Sequence, residues 1–201
     1  MFGLFGKKGG SRRFWDWLAA NTKRIQSSLK QDPQSVSGEI LRAFEDAYPE
    51  LTWEVSPANS GPWLFCISAD GDPKLFPRVE QAIHEAPEVP GWRIHAFRPR
   101  GSLTAEIDMG GRKLGYDDIW CSVEPLASGV RVKLWIRDLS PQSDRVLSPA
   151  AAILLDNAVG EYDAVMKIKH LDRGPLQPNP KKTDRFFPLA ELPTYLDTTP
   201  T

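Results

Sequence analysis

Cysteine is scarce: Cys66 and Cys121 are the only two in 201 residues, too few for a disulfide framework. Histidine is nearly as rare, and His84, His95 and His170 fall at no ligand spacing such as H-x-x-x-H. Neither sign of charge dominates, with 25 Lys and Arg against 26 Asp and Glu, which argues against a surface that coats nucleic acid. No apolar run approaches the roughly 18 residues that a membrane-spanning helix needs. The chain also lacks a G-x-S-x-G elbow, a Walker loop, a G-x-G-x-x-G turn and an EF-hand loop. These absences leave no expected metal site, no expected cofactor and no recognisable nucleophile. At 41% hydrophobic residues, however, the chain is too apolar to be disordered.

What is abundant is tryptophan, seven residues in all. The opening MFGLFGKKGGSRR lacks the charge, apolar stretch and cleavage site of a signal peptide in that order, and Phe2 stands where myristoylation requires glycine. Residues 1–12 therefore read as a flexible basic tail. A weak phosphate contact through Lys7, Lys8, Arg12 and Arg13 is the alternative, and the expected compartment is the cytoplasm. Phe14, Trp17, Leu18, Ile25 and Leu29 recur at helical spacing, and Val36, Ile40, Phe44 and Tyr48 form a second stripe behind an Asp32-Pro33 start. The periodicity then switches to two at Leu51, Trp53 and Val55, and residues 63–69 are apolar on both faces, as in a central strand. A helix carrying Phe76, Val79 and Ile83 comes next, with Pro77 placing its start in doubt. Strand-like segments then occupy 92–98, 103–109, 119–125, 130–137 and about 164–171. A helix opens at Ser148-Pro149 and stops at Gly160, and a Pro-rich tail carries one helical turn near Leu189 to Leu192. No internal repeat is visible.

This pattern implies one α+β domain over 13–196, whose 13–48 part is helical, with a tail at 197–201. Its core is a mainly antiparallel sheet of about six to seven strands with helices packed on it, preceded by an N-terminal helical pair. One hairpin can be put in register. Matching apolar faces sets Ile119 opposite Ile136, Cys121 opposite Leu134 and Val123 opposite Val132. The other face then carries Trp120 opposite Trp135 and Glu124 opposite Arg131, with a four-residue loop from Leu126 to Gly129.

Three places invite chemistry. Trp120 and Trp135 share a face with Lys133 and Arg137, a set that could stack bases or clamp an anionic ligand. The competing reading is packing, with a helix carrying Phe14 and Trp17 laid over the rings. Asp156, Asn157, Glu161 and Asp163 surround a helix end and could form an acidic pocket for a cation or act as an acid/base pair. Asp156 and Glu161 are the candidate acid/base pair, although no catalytic residue is assigned, and the competing reading is capping, with an arginine such as Arg98 holding Asp156. Arg98 lies on the apolar side of its strand and suits a carboxylate, either an internal partner or a ligand.

The strings FWDWLAAN, CISADGDPKLFPRVEQAI, APEVPGWRIHAFRPR and LLDNAVGEYDAVMKI together resemble a family of uncharacterised bacterial cytoplasmic proteins of about this length, over roughly Phe14 to Leu196. The resemblance implies a cytosolic domain with no established activity and transfers no catalytic residue. The leading functional expectation is a non-catalytic binding or protein-interaction module of immunity or accessory type, whose partner is another protein. The alternatives are a hydrolase-like enzyme using Asp156 and Glu161 with Arg98, and a single-stranded nucleic-acid binder working through Trp120 and Trp135.

Overall fold

A computed structural model of the chain describes residues 7–198. Residues 1–6 of the expected N-terminal tail and 199–201 of the C-terminal one lie outside the described residues. The adjoining residues of both tails are helical instead, as the ends of α1 (Lys7–Gln31) and α6 (Leu192–Thr198). Among the described residues the fold is α+β, two helices precede the strands, as the periodicity requires, and nine strands distribute over three sheets. Where one domain is expected, the chain divides into two units, Met1–Arg98 and Pro99–Thr201.

In the first unit α1 is followed by α2 (Pro33–Ala47), β1 (Thr52–Ser56), β2 (Trp63–Ser68), α3 (Phe76–Glu85) and β3 (Trp92–Ala96). Asp32 caps α2 by accepting from the Gln34 N–H at 3.1 Å, and proline occupies the first turn, where its missing donor costs nothing. Pro77 sits equally harmlessly in the first turn of α3. β2 is the central strand, antiparallel to β1 and parallel to β3, which accounts for its two apolar faces. Phe14, Trp15, Leu18, Ile40 and Phe44 are buried with Phe65 of β2. Four of these rings lie on one another, Phe14 at 5.8 Å, Trp15 at 6.2 Å and Phe44 at 6.1 Å from Phe65. Trp15 takes the buried position in α1 while Trp17 is half-buried, and the Trp15 indole donates to the Tyr48 hydroxyl at 2.7 Å.

The second unit opens with a hairpin, β4 (Glu106–Met109) and β5 (Arg112–Gly115), turned by Gly110 and Gly111, both at positive φ. Then come β6 (Ile119–Leu126), β7 (Gly129–Ile136), α4 (Asp144–Val159), α5 (Glu161–Met166), β8 (Ile168–Pro175), β9 (Phe186–Pro188) and α6. The main sheet has the order β8-β7-β6-β9, with only the β7/β8 pair parallel. Ile119, Cys121, Val132, Leu134 and Ile136 share one core with Ala151, Leu154 and Leu155 of α4 and with Phe187 and Leu192. Each large side chain buried in this way contributes about 1.5–3 kcal/mol.

The hairpin register matches the expected pairing at every position from Ile119↔Ile136 to Glu124↔Arg131. Pairing continues to Leu126↔Gly129, so the loop is the two residues Ala127 and Ser128 and not four. α4 begins at Asp144, before Ser148-Pro149, because Ser140 and Ser143 form the turn that starts it, and Pro149 lies inside the helix. Residues 161–166, expected to lead into a strand, form α5, and the strand starts at Ile168. Among the described residues no helix is long and apolar enough to cross a membrane.

Candidate functional site

Strand alternation gives the second sheet one side that packs on α4 and one that does not. On the latter, β6 presents Trp120, Ser122 and Glu124, and β7 presents Arg131, Lys133 and Trp135. The Glu124–Arg131 ion pair forms at 2.6 Å, as the register requires. β9 adds Phe186 opposite Ser122 and Pro188 opposite Trp120, and β8 sets Gly174 opposite Trp135. Within the second unit, the ring laid against both tryptophans is Phe186. Phe186 lies 5.1 Å from Trp120 and 6.3 Å from Trp135, while Phe14 is engaged with Phe44, Tyr48 and Phe65 in the first unit.

The two tryptophans differ in kind. Trp135 is satisfied within the sheet: its indole N–H donates to Ser122 Oγ at 3.0 Å, and Lys133 Nζ stands 4.2 Å over its ring. A Cβ at Gly174 would fall 3.3 Å from that ring, so the glycine supplies the flat floor on which it lies. Trp120 donates to no described residue, and its indole N–H is open to solvent. Beside it, Arg137, Asp138 and the segment Leu176–Pro180 close a groove of about 420 Å3, within the range of small-ligand sites. Arg137 is oriented by Asp118, 3.0 Å from its Nε, and by the Asp117 carbonyl, which accepts from Nη2 at 3.1 Å. Its Nη1 donates to no described residue. The Asp138 carboxylate and the Gln177 and Asn179 amides, at the rim, also engage no described side chain.

The other sequence candidates have structural employment. Arg98 donates to Ser68 Oγ at 3.0 Å and pairs with Asp70 at 3.1 Å and Glu54 at 3.6 Å. Asn157 clamps a loop, its amide N–H groups reaching the Ser102 carbonyl at 2.9 Å and the Tyr116 hydroxyl at 2.7 Å. Tyr116 in turn donates to the Leu154 carbonyl at 2.9 Å, and burial pushes its hydroxyl pKa up against the opposing pull of Asn157. Asp156 is half-buried in the last turn of α4, and Glu161 is wholly buried at the start of α5. Asp163 is taken up by Arg100 at 2.6 Å and Lys167 at 3.2 Å.

Arg100 also holds Asp197 in a two-pronged pair at 2.7 and 2.8 Å and donates to the Val159 carbonyl at 3.2 Å. It thereby ties the end of α4 to α5 and α6. Its hydrogen bonds to Asp197, opposed by burial and reinforced by Asp163, keep the guanidinium charged beyond its usual range. Cys66 and Cys121 are buried thiols, and burial raises the Cys121 pKa, which disfavours the reactive thiolate. Among the described residues no three His, Cys, Asp or Glu side chains gather in a way that could hold a metal ion.

No family model matches the chain, and no curated protein or solved structure is detectably similar to it. The groove is lined by residues outside the sequence candidates, Asp138 and Leu176 to Pro180, and Phe186 packs against Trp120. Their only sequence signal is an aromatic pair, Phe186-Phe187, inside an otherwise Pro-rich and polar stretch.

Proposed function

We propose that this chain is a non-catalytic binding module that holds its partner at the Trp120 side of the second sheet. It fits the bacterial cytoplasmic proteins that its sequence resembles, and the expected partner is another protein. The observation that carries this reading is the contrast between the two tryptophans: Trp135 has its hydrogen bond and its ring face satisfied internally, while Trp120 keeps its indole N–H open beside a groove. A half-buried tryptophan whose indole N–H faces solvent offers a partner an apolar ring and a donor that the fold does not use.

The hydrolase reading draws less support, because Glu161 has no solvent-facing surface and a general acid must reach its substrate. The nucleic-acid reading needs two free rings, and the sheet itself occupies Trp135. The test is affinity capture from native cell extract on immobilised wild type and Trp120→Ala, with proteins and small molecules both read by mass spectrometry. Wild type is expected to retain a reproducible binder that Trp120→Ala, still folded by circular dichroism, loses. Equal retention by both proteins overturns the reading.

A further inference from the structure

We infer that the groove beside Trp120 is a site for a neutral sugar, a polyhydroxylated ring that stacks its C–H face on the indole. The inference rests on the reading of the Trp120 side as the binding surface and names the chemistry its groove takes, a sugar either carried by the protein partner or free in solution. Its ground is the mixture of groups around one aromatic ring: a carboxylate at Asp138, amides at Gln177 and Asn179, a guanidinium Nη1 at Arg137 and the Trp120 indole N–H. A sugar is the ligand that needs all of these, since each hydroxyl both donates and accepts and its axial C–H bonds point a weakly positive face at an aromatic ring.

The competing chemistries meet specific obstacles. A phosphate or carboxylate ligand would face Asp138, while the one cation, Arg137, already has Asp118 at 3.0 Å. A polyproline helix needs a groove that is predominantly aromatic, and here a single ring meets four polar side chains. A base stacked on Trp120 gains most from a second aromatic ring, and no second aromatic side chain lines the groove. The site is also held in shape before any ligand arrives. Leu176 N–H is anchored to the Ile136 carbonyl at 2.9 Å, and prolines at 175, 178 and 180 stiffen the chain on either side of that anchor. By contrast, the larger cleft of about 670 Å3 in the first unit offers no indole face, because its Trp15 is only 2% exposed and bonded to Tyr48.

The decisive experiment monitors the Trp indole N–H resonances of the full chain by heteronuclear NMR. The titrants are D-glucose, D-galactose, D-mannose, N-acetyl-D-glucosamine and maltose, each up to roughly 50 mM, well above the millimolar constant of a shallow site. At least one sugar is expected to move the Trp120 signal in a saturable way and leave that of Trp135 in place. Asp138→Asn keeps a residue that tolerates the left-handed backbone there, φ 57°, and is expected to weaken that sugar at least fivefold at unchanged thermal midpoint. No saturable shift with any of the five sugars, a shift unaffected by Asp138→Asn, or a tighter response to inorganic phosphate, uridine or a polyproline peptide overturns the inference. If the sugars fail while extract capture still depends on Trp120, the sugar assignment falls and the binding reading stands. If capture is also independent of Trp120, both fall.

Discussion

At the scale of single residues, the second unit shows how close approach dictates side-chain choice. A Cβ on Gly101 would lie 1.9 Å from Asn157 Oδ1 and 2.8 Å from its Cγ, while the Gly101 N–H donates to the Asn157 carbonyl at 2.7 Å. Gly101→Ala must therefore evict the Asn157 side chain, which gives up its bonds to Ser102 and Tyr116. The expected cost is about 1–3 kcal/mol, the usual range for breaking a part-buried polar network. Asn157→Ala should cost a similar amount by itself, and Gly101→Ala should cost almost nothing further in that background, because the clash is gone. Denaturant melts of the two single variants and the double variant check this. Additive losses would show that the two residues act independently. Arg100 makes the same point with charge: its partners Asp163 and Asp197 lie 63 and 97 residues away in sequence, so no local pattern announces the clamp.

At the scale of elements, α4 is secured at its start by Asp144, which pairs with Arg173 of β8 at 2.8 Å and accepts from Ser148 at 2.6 Å. Arg173 first and Ser148 second hold the Asp144 carboxyl down at about 2, below its usual value. A depressed carboxylate stabilises the fold above its unfolded pKa, near 3.9, and that contribution disappears as pH falls through the folded value. The difference in thermal midpoint between wild type and Asp144→Asn should thus be constant above about pH 5 and fall to a small remainder by pH 2. It should also shrink in high salt, because the pair is exposed. A difference as large at pH 2 as at pH 6 would assign the effect to something other than the charge.

Elements were legible in the sequence where a periodic pattern met a strong local rule. The β6/β7 register follows from apolar alternation alone, since a one-residue slip would put Glu124 and Arg131 into the core. β5 was not, because RKLG carries two cations in four residues and becomes a strand only by pairing with β4. The start of α4 was hidden because Ser148-Pro149 imitates a helix start, whereas the operative turn at Ser140 and Ser143 depends on Ser143 Oγ reaching the Asp138 carbonyl. The groove wall at 176–180 was hidden for the same reason as Arg100: its position is set by the end of β7, forty residues earlier in the chain.

For the molecule as a whole, the two units share a plan that the sequence does not repeat. In each, an antiparallel hairpin is followed by helical structure and then by a strand parallel to the hairpin's second member: β1, β2, α3 and β3 in one, β6, β7, α4 with α5, and β8 in the other. Each unit also closes its own apolar core, around Phe65 in the first and around Val132 and Leu154 in the second. Two cores of this kind make two candidate cooperative units of unfolding. Phe65→Ala opens a cavity under the rings of Phe14, Trp15 and Phe44 and should cost about 3–5 kcal/mol locally. Native-state hydrogen exchange on that variant is expected to lose protection throughout β1, β2 and β3 while the amides of β6 and β7 keep theirs. A uniform fall across both sheets would show that the two cores unfold as one, because a loss confined to one core can spread to the other only if the free energy of opening is shared between them.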